Sequence, residues 1–128
     1  MNKVIKTSLA PEPIGTYSQA ILAGNLLFSV QMGLSPITGK FAGEDIESQT
    51  RQTLENLKNI LAEAGMTLGN VVRTTIFISD MNNAGKVNEI YGSYFTVNPP
   101  ARATVEVNRL PANGLIEMEI IAVNNPPQ

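Results

Sequence analysis

The chain has 128 residues, the size of one domain, and can bury about two thirds of the surface that the unfolded chain exposes. Its composition is ordinary for a globular protein, with 43% hydrophobic residues, 16% charged residues and a net charge of -2. Cysteine and histidine are absent, which excludes disulfides, thiolate nucleophiles, the usual zinc ligand sets and Ser-His-Asp triads. We therefore expect a single domain over residues 1–128 that holds no metal and no cofactor.

The 9 basic residues are scattered, and no basic run exists that could follow a phosphate backbone. We therefore expect no nucleic acid as the main partner. The N-terminus lacks an apolar run of signal-peptide length, and no stretch is long and apolar enough to span a membrane. These features predict a cytoplasmic protein with no membrane partner.

The first half of the chain predicts 3 strands and 1 long helix. Lys3 to Lys6 can form a short edge strand. Tyr17 to Ala23 and Asn25 to Met32 predict a hairpin that turns at Gly24. Between Asp45 and Ala64, apolar side chains recur at three- and four-residue steps, which predicts a helix with one buried stripe and Asp45 as its N-cap.

The second half predicts three strands around one further helix. β-Branched residues from Val71 to Asp80 predict a central strand, and Asn82 to Phe95 predicts a helix. A period of two predicts strands at Arg102 to Val107 and Leu115 to Val123, which turn residues join. Asn124 to Gln128 is expected to fray. This order favours an α+β fold, a mixed β-sheet with two helices packed on one face.

The last two strands have unlike faces. Arg102, Thr104 and Glu106 share one face of the first strand, and Glu117 and Glu119 share one face of the second with aliphatic residues. A face that merely met water would be polar throughout. We therefore place Arg102 and these glutamates together on a half-buried sheet face, covered by another subunit, where a polar pocket can form. A solvated face with a few stray aliphatic side chains is the alternative.

The same block carries a family resemblance. The run Pro100-Ala101-Arg102-Ala103-Thr104-Val105-Glu106-Val107, followed by Leu110-Pro111 and Ile116-Glu117-Met118-Glu119, resembles the signature of the reactive intermediate deaminases (Rid, YjgF-type). Matches in the same order extend to Ile14-Gly15-Thr16-Tyr17-Ser18-Gln19-Ala20 and Val87-Asn88-Glu89-Ile90-Tyr91. The resemblance covers nearly the whole chain. It implies a chorismate-mutase-like protomer in a homotrimer, with sites in the clefts between subunits.

The resemblance also implies roles for particular residues. Arg102 would bind the substrate carboxylate, with help from the backbone N–H of Thr104. Glu117 would position or deprotonate the attacking water, and Tyr17 would donate to the substrate or hold the water. Asn88 would lie near the same pocket.

Each of these residues also has a structural interpretation when the residues are considered alone. Arg102 could form an ion pair with Glu106, two residues along on the same face. Glu117 could pair with a cross-strand cation, and Tyr17 could belong to the core or its rim. Asn88 could be an ordinary surface residue of a helix.

Two positions depart from the family pattern. Thr104 stands where many relatives have cysteine, which removes any thiol-dependent role. The sequence Phe28-Ser29-Val30-Gln31 is one residue shorter than the family's strand and lacks its glycine. A one-residue change exchanges the faces of a strand unless a bulge is lost with it. Ser29 is the candidate for the family's substrate-binding serine, and it keeps that position only if a bulge is lost together with the missing residue.

The predicted reaction follows from the candidate site residues and from the family resemblance. A protonated 2-imino acid is already a strong electrophile, so a pocket need only hold its carboxylate, place a water and pass a proton. We expect hydrolytic deamination of 2-iminobutanoate or 2-iminopropanoate to 2-oxo acids and ammonia. The alternative is a trimer that binds small carboxylates such as 2-oxo acids without turnover. RNA cleavage, described for some relatives, is disfavoured by the acidic balance and the missing histidine.

Overall fold

A computed structural model describes residues 1–125, so the end of the expected frayed tail, residues 126–128, lies outside the described residues. One mixed sheet contains all the strands: β1 (Lys3–Ile5), β2 (Ala20–Ala23), β3 (Leu26–Met32), β4 (Val71–Ile78), β5 (Ala101–Glu106) and β6 (Ile116–Val123). The α-helices are α1 (Ile46–Glu63) and α2 (Ala84–Tyr94). The order across the sheet is β1-β2-β3-β6-β4-β5, and the α+β class is confirmed.

The N-terminal hairpin is confirmed, but β2 begins later than predicted. Gly24 has a φ of 62° at the turn, which a glycine adopts without strain. Residues 17–19 stay outside the strand because the buried side chain of Gln19 binds the preceding loop. Its amide nitrogen donates to the carbonyl oxygens of Thr7, Ala10 and Pro11, and its carbonyl oxygen accepts from Thr7 N. This amide therefore fixes the loop that ends at β2.

The two strands of the C-terminal block are not neighbours in the sheet. The inserted strand β4 pairs antiparallel with β6 and parallel with β5. Parallel neighbours need a crossover connection, and α2 supplies it between β4 and β5. The predicted turn between β5 and β6 contains a short 3-10 turn, Pro111–Asn113. In it, Ala112 and Asn113 have φ values of 55° and 57°.

Helix α1 begins and ends close to the predicted residues. The Asp45 side chain accepts a hydrogen bond from Ser48 N, as an N-cap should. Helix α2 packs on the same sheet face as α1, because the Tyr91 hydroxyl of α2 lies 2.8 Å from that of Thr74 on β4, next to the core residue Ile120. Within residues 1–125, neither α-helix is long and apolar enough to cross a membrane.

Two polar residues of α1 are buried beside the predicted apolar stripe. Asn56 is 0% exposed, and its Nδ2 donates to the carbonyl oxygens of Met32 and Leu34. Gln49 accepts a hydrogen bond from Leu115 N at 2.9 Å. A Cβ on Gly33 would lie 2.5 Å from the Gln49 carbonyl oxygen, so only glycine fits there. These contacts fix the end of β3 and the start of β6 against the helix.

Replacing Asn56 with alanine should lower the free energy of unfolding by about 3 kcal/mol, because it leaves two buried carbonyl groups without donors. Chemical denaturation at one fixed protein concentration measures the change. The matched control is Asn59→Ala on the same helix, which removes one hydrogen bond to Leu9 O at a more exposed position and should cost about 1 kcal/mol or less. Equal losses for the two variants would contradict the assigned role of Asn56.

Candidate functional site

The sheet face opposite the helices is apolar over a wide area. Val4, Ile21, Phe28 and Ile121 are directly opposite one another on four neighbouring strands and form one row across this face. Val4 is 59% exposed and Phe28 is 42% exposed. No helix covers this face in the described part of the chain. A half-apolar sheet face was predicted from the sequence, and the structure places it here.

An open cleft of about 470 Å³ lies on this face, between the sheet and residues 11–19. It is bordered by three predicted site residues, Tyr17, Ser29 and Glu117, and by Arg73 and Glu119. Glu117 and Glu119 are two residues apart on β6, so their side chains point to the same side of the sheet. The cleft therefore combines an apolar floor with three carboxylates, those of Glu12, Glu117 and Glu119, and one cation, Arg73.

Glu117 is the carboxylate whose environment is most altered. Its neighbours along β6, Ile116 and Met118, are fully buried on the other face. Burial raises the pKa of the Glu117 carboxyl, and the negative charge of Glu119 raises it further. A glutamate with a raised pKa can both accept and return a proton closer to neutral pH. Glu117 can therefore act on a water molecule in the cleft.

Tyr17 lies at the mouth of the cleft. Its hydroxyl oxygen accepts a hydrogen bond from Ile14 N at 3.1 Å, and the side chain is 52% exposed. The Gly15 carbonyl accepts from Tyr17 N in a tight turn that directs the ring back over the loop. Because the hydroxyl accepts from the backbone, its own proton is free to be donated towards the cleft.

Ser29 borders the cleft, but its hydroxyl does not point into open space. Strand β3 pairs with β6 in one continuous register from Leu26 to Met32, without a bulge. Ser29 lies opposite the buried residue Ile120, on the helix side of the sheet. Its Oγ donates to the Gln19 carbonyl at 2.7 Å. In this shortened strand, the hydroxyl of Ser29 therefore holds the loop before β2 through a hydrogen bond.

Arg102 does not share a sheet face with Glu117, so this part of the sequence prediction is wrong. Thr74 of β4 lies opposite both Arg102 of β5 and Ile120 of β6, on the side that carries the helices. Glu117 lies opposite Phe77, on the other side. Strand β4 lies between β5 and β6, and its register with each of them determines which face each side chain occupies. Within one copy of the chain, the sheet itself separates the two side chains.

The guanidinium of Arg102 is held by an aromatic ring rather than by a carboxylate. Its Cζ lies 4.8 Å from the centroid of the Tyr91 ring on α2. No ion pair of Arg102 occurs within residues 1–125, and Glu106, the suggested partner, accepts from Met81 N instead. Arg102 is exposed, so its charge is available to an anion.

Thr104 follows Arg102 on β5, and Asn88 lies on α2, the helix whose Tyr91 contacts Arg102. Strand β5 is the last strand of the sheet, and Val107 N donates to Ile78 O on its inner side. Because successive N–H groups of a strand point to opposite edges, the N–H groups of Arg102 and Thr104 point to the free edge. Asn88 lies three residues before Tyr91 on α2 and therefore on the same side of the helix.

Tyr91 is the site residue that the sequence analysis missed as a functional candidate. It lies on the buried side of α2 and is 5% exposed. Its ring is nevertheless the surface on which Arg102 rests. The available signal was its place in the run that begins at Val87 and includes Asn88, one helical turn away.

The structure thus contains two clusters rather than one. The cleft cluster contains Tyr17, Glu117, Glu119 and Arg73, and the edge cluster contains Asn88, Tyr91, Arg102 and Thr104. Among residues 1–125, no three acidic side chains are close enough to hold a metal ion together. The cleft cluster offers proton transfer, and the edge cluster offers an anion site.

Comparison with known proteins identifies the family. A family model described as endoribonuclease L-PSP matches residues 7–124. A RutC family protein of Pyrococcus horikoshii is 52% identical over 123 residues, covering 95% of this chain and 98% of that protein. A 2-iminobutanoate/2-iminopropanoate deaminase of Rattus norvegicus is 45% identical over 127 residues, covering 98% of this chain and 93% of that protein.

A solved structure agrees with this result. The Rid family protein YyfA of Yersinia pestis, described as of unknown function, has a TM-score of 0.94 and 46% identity, covering 97% of this chain and all of that chain. The chain therefore belongs to the endoribonuclease L-PSP family, which includes the RutC and Rid proteins. The resemblance noted in the sequence is confirmed.

Replacing Glu117 with glutamine should change how stability depends on pH. The folded protein holds the Glu117 proton more tightly than the unfolded chain, so the wild type loses stability as the pH rises from the ordinary pKa of 4.5 to the raised value. Glutamine does not titrate, so the variant lacks this loss of stability. Between about pH 4 and pH 7, the stability of the variant relative to the wild type, measured from denaturation midpoints, should therefore increase as the pH rises. A difference that stays constant, or that shrinks with pH, would contradict the raised pKa.

Proposed function

We propose that this protein hydrolyses 2-imino acids to 2-oxo acids and ammonia, at sites that each combine the cleft cluster of one copy with the edge cluster of another. The observation that carries the proposal is the separation of Glu117 and Arg102 by the sheet. Neither cluster alone offers both an uncontested carboxylate site and a group that can activate water. The rat relative, which matches this chain over nearly its full length, is named for this reaction.

The chemistry assigns one task to each side chain. Arg102 binds the substrate carboxylate through its in-plane N–H groups, and the free backbone N–H of Thr104 adds a further hydrogen bond. Glu117 of the other copy takes a proton from water as the water oxygen attacks the C=N carbon. Tyr17 donates to the substrate or to this water. Glu117 then returns its proton to the nitrogen of the resulting amino alcohol, the C–N bond breaks to release ammonia, and Glu117 accepts the hydroxyl proton as the C=O bond forms.

The exposed surfaces of the protomer favour an assembly of this kind. The cleft side presents the apolar row that includes Val4 and Phe28, and the edge side presents the free strand edge of β5. Joining the edge of one copy to the face of the next uses two different surfaces, so the contact repeats head to tail and forms a ring when the rotation between copies closes. A ring of three copies is the assembly that the family resemblance implies.

Arg73 is the competing carboxylate site within one copy. It borders the cleft beside Glu117 and Glu119, on the same face of the sheet. The carboxylates of Glu117 and Glu119 border the same cleft, and their negative charges would repel the carboxylate of a substrate bound at Arg73. Arg102 faces no such competition in the described chain. We therefore assign substrate binding to Arg102.

A second candidate function is carboxylate binding without turnover. The observation that favours it is the Ser29 hydroxyl, whose proton is donated to Gln19 O and is therefore not available to a substrate. A protein of this kind would bind 2-oxo acids in the same clefts and leave imines untouched. Calorimetry with 2-oxobutanoate, together with the assay below, separates the two functions.

Imine hydrolysis should depend on Arg102 and not on Arg73. The substrate, 2-iminobutanoate, is generated in situ by an amino-acid oxidase, and its loss is followed with and without the purified protein. Replacing Arg102 with alanine should lower kcat/KM by about 100-fold or more, since a charge-assisted bidentate contact is removed. The matched control is Arg109→Ala, an exposed arginine in the turn after β5, which should retain wild-type activity.

Each contrary result has a definite meaning. Wild-type protein that does not speed imine loss contradicts the deaminase function. A loss of activity in Arg73→Ala with full activity in Arg102→Ala would place the site within one copy and contradict the shared cleft.

A further inference from the structure

The edge cluster contains an aromatic ring whose position relative to Arg102 is unusually well fixed. Tyr91 is 5% exposed, and its hydroxyl lies 2.8 Å from the Thr74 hydroxyl. On the other side, its ring centroid lies 4.6 Å from that of Phe95. Burial raises the pKa of the Tyr91 phenol, against the opposing effects of the Thr74 hydrogen bond and the Arg102 charge, so the ring stays neutral.

Three of these residues form a closed set of contacts. Thr74 on β4 lies directly opposite Arg102 on β5. Thr74 bonds to the Tyr91 hydroxyl, and the Tyr91 ring lies against the Arg102 guanidinium. A movement of the ring would break the contact with Arg102 or with Thr74. The backbone register of the sheet therefore determines where the guanidinium rests.

The Cζ of Arg102 lies 4.8 Å from the Tyr91 ring centroid. A guanidinium that stacks with its face on a ring keeps its in-plane N–H groups for a carboxylate. The two contacts can therefore exist at the same time. An exposed arginine without such support would lose many side-chain conformations when it binds an anion, and a supported arginine loses fewer.

We propose that Tyr91 is a positioning residue that holds Arg102 ready for the substrate carboxylate. This inference rests on the proposed function, because it assumes that Arg102 binds that carboxylate. The ring touches no reacting atom and acts only through Arg102. Its effect should therefore appear in the affinity for carboxylates and in KM, while kcat changes little.

The test compares two substitutions of Tyr91 in the full-length assembled protein. Tyr91→Phe keeps the ring and loses only the bond to Thr74, whereas Tyr91→Leu removes the ring. Calorimetry with 2-oxobutanoate should show a Kd within about twofold of wild type for phenylalanine and about three- to tenfold higher for leucine. The matched control is Tyr94→Leu on the same helix, whose ring has no contact with Arg102; its Kd should equal that of wild type.

A double-mutant cycle with Arg102→Ala separates positioning from general loosening of the fold. If Tyr91 acts through Arg102, Tyr91→Leu should cause no further loss of binding in the Arg102→Ala background. Thermal melts confirm that each variant is folded at the temperature of the titration. Tyr91→Met replaces the leucine variant if that protein does not fold, because methionine fills irregular space more readily.

The outcomes distinguish the inference from the proposed function. If Arg102→Ala weakens binding and Tyr91→Leu leaves Kd unchanged, the inference is wrong and the proposed function stands. An equal loss in Tyr91→Leu with and without Arg102 also overturns the inference. If Arg102→Ala binds 2-oxobutanoate as wild type does, the proposed function fails, and the inference fails with it.

Discussion

The pairing of β4 between β6 and β5 is the constraint on which the rest of the structure depends. Side chains alternate strictly along each strand, so the register across three neighbouring strands decides which residues share a face. This register places Glu117 with Phe77 and Val105 on one side, and Arg102 with Thr74 on the other. A change of one residue in either pairing would reverse the relation between the acid and the arginine.

The two faces of the sheet consequently have different tasks. The helix side is filled by α1 and α2, and polar groups there serve the fold: Asn56 fixes the end of β3, and Gln49 fixes the segment that leads to Glu117. The opposite side keeps its apolar row exposed and holds the cleft. Chemistry that needs both an anion site and a proton-transfer group must therefore join the cleft of one copy to an edge that lies elsewhere.

The elements of the fold could be predicted from the sequence with good accuracy, because local patterns determine them. The buried stripe and the Asp45 cap define α1, and Gly24 defines the hairpin turn. Alternation within a strand also follows from local pattern. The phase between two strands does not, because it depends on which strand lies between them, and this is a long-range property. The alternation predicted within each of the two strands is therefore correct, but the prediction that Arg102 and Glu117 share one face is wrong.

In the predicted site, too, local patterns could be read from the sequence, whereas features that depend on long-range pairing could not. Glu117 and Tyr17 border one cleft, whereas the Ser29 hydroxyl donates to the Gln19 carbonyl. The sequence could show that the strand was one residue short, but not whether a bulge had been lost. The contact between Tyr91 and Arg102 joins a helix to an edge strand, and no local periodicity indicates such a pair.

The central claim is that each site takes Glu117 from one copy and Arg102 from another. Co-expression of the Glu117→Gln and Arg102→Ala chains in equal amounts, each with a different affinity tag, tests it directly. In a ring of three copies that contains both variants, one cleft in about three unites an intact Glu117 with an intact Arg102. Mixed assemblies isolated through both tags should therefore recover about a third of wild-type imine hydrolysis, although each variant alone is inactive. Mixed assemblies no more active than the separate variants would contradict the claim.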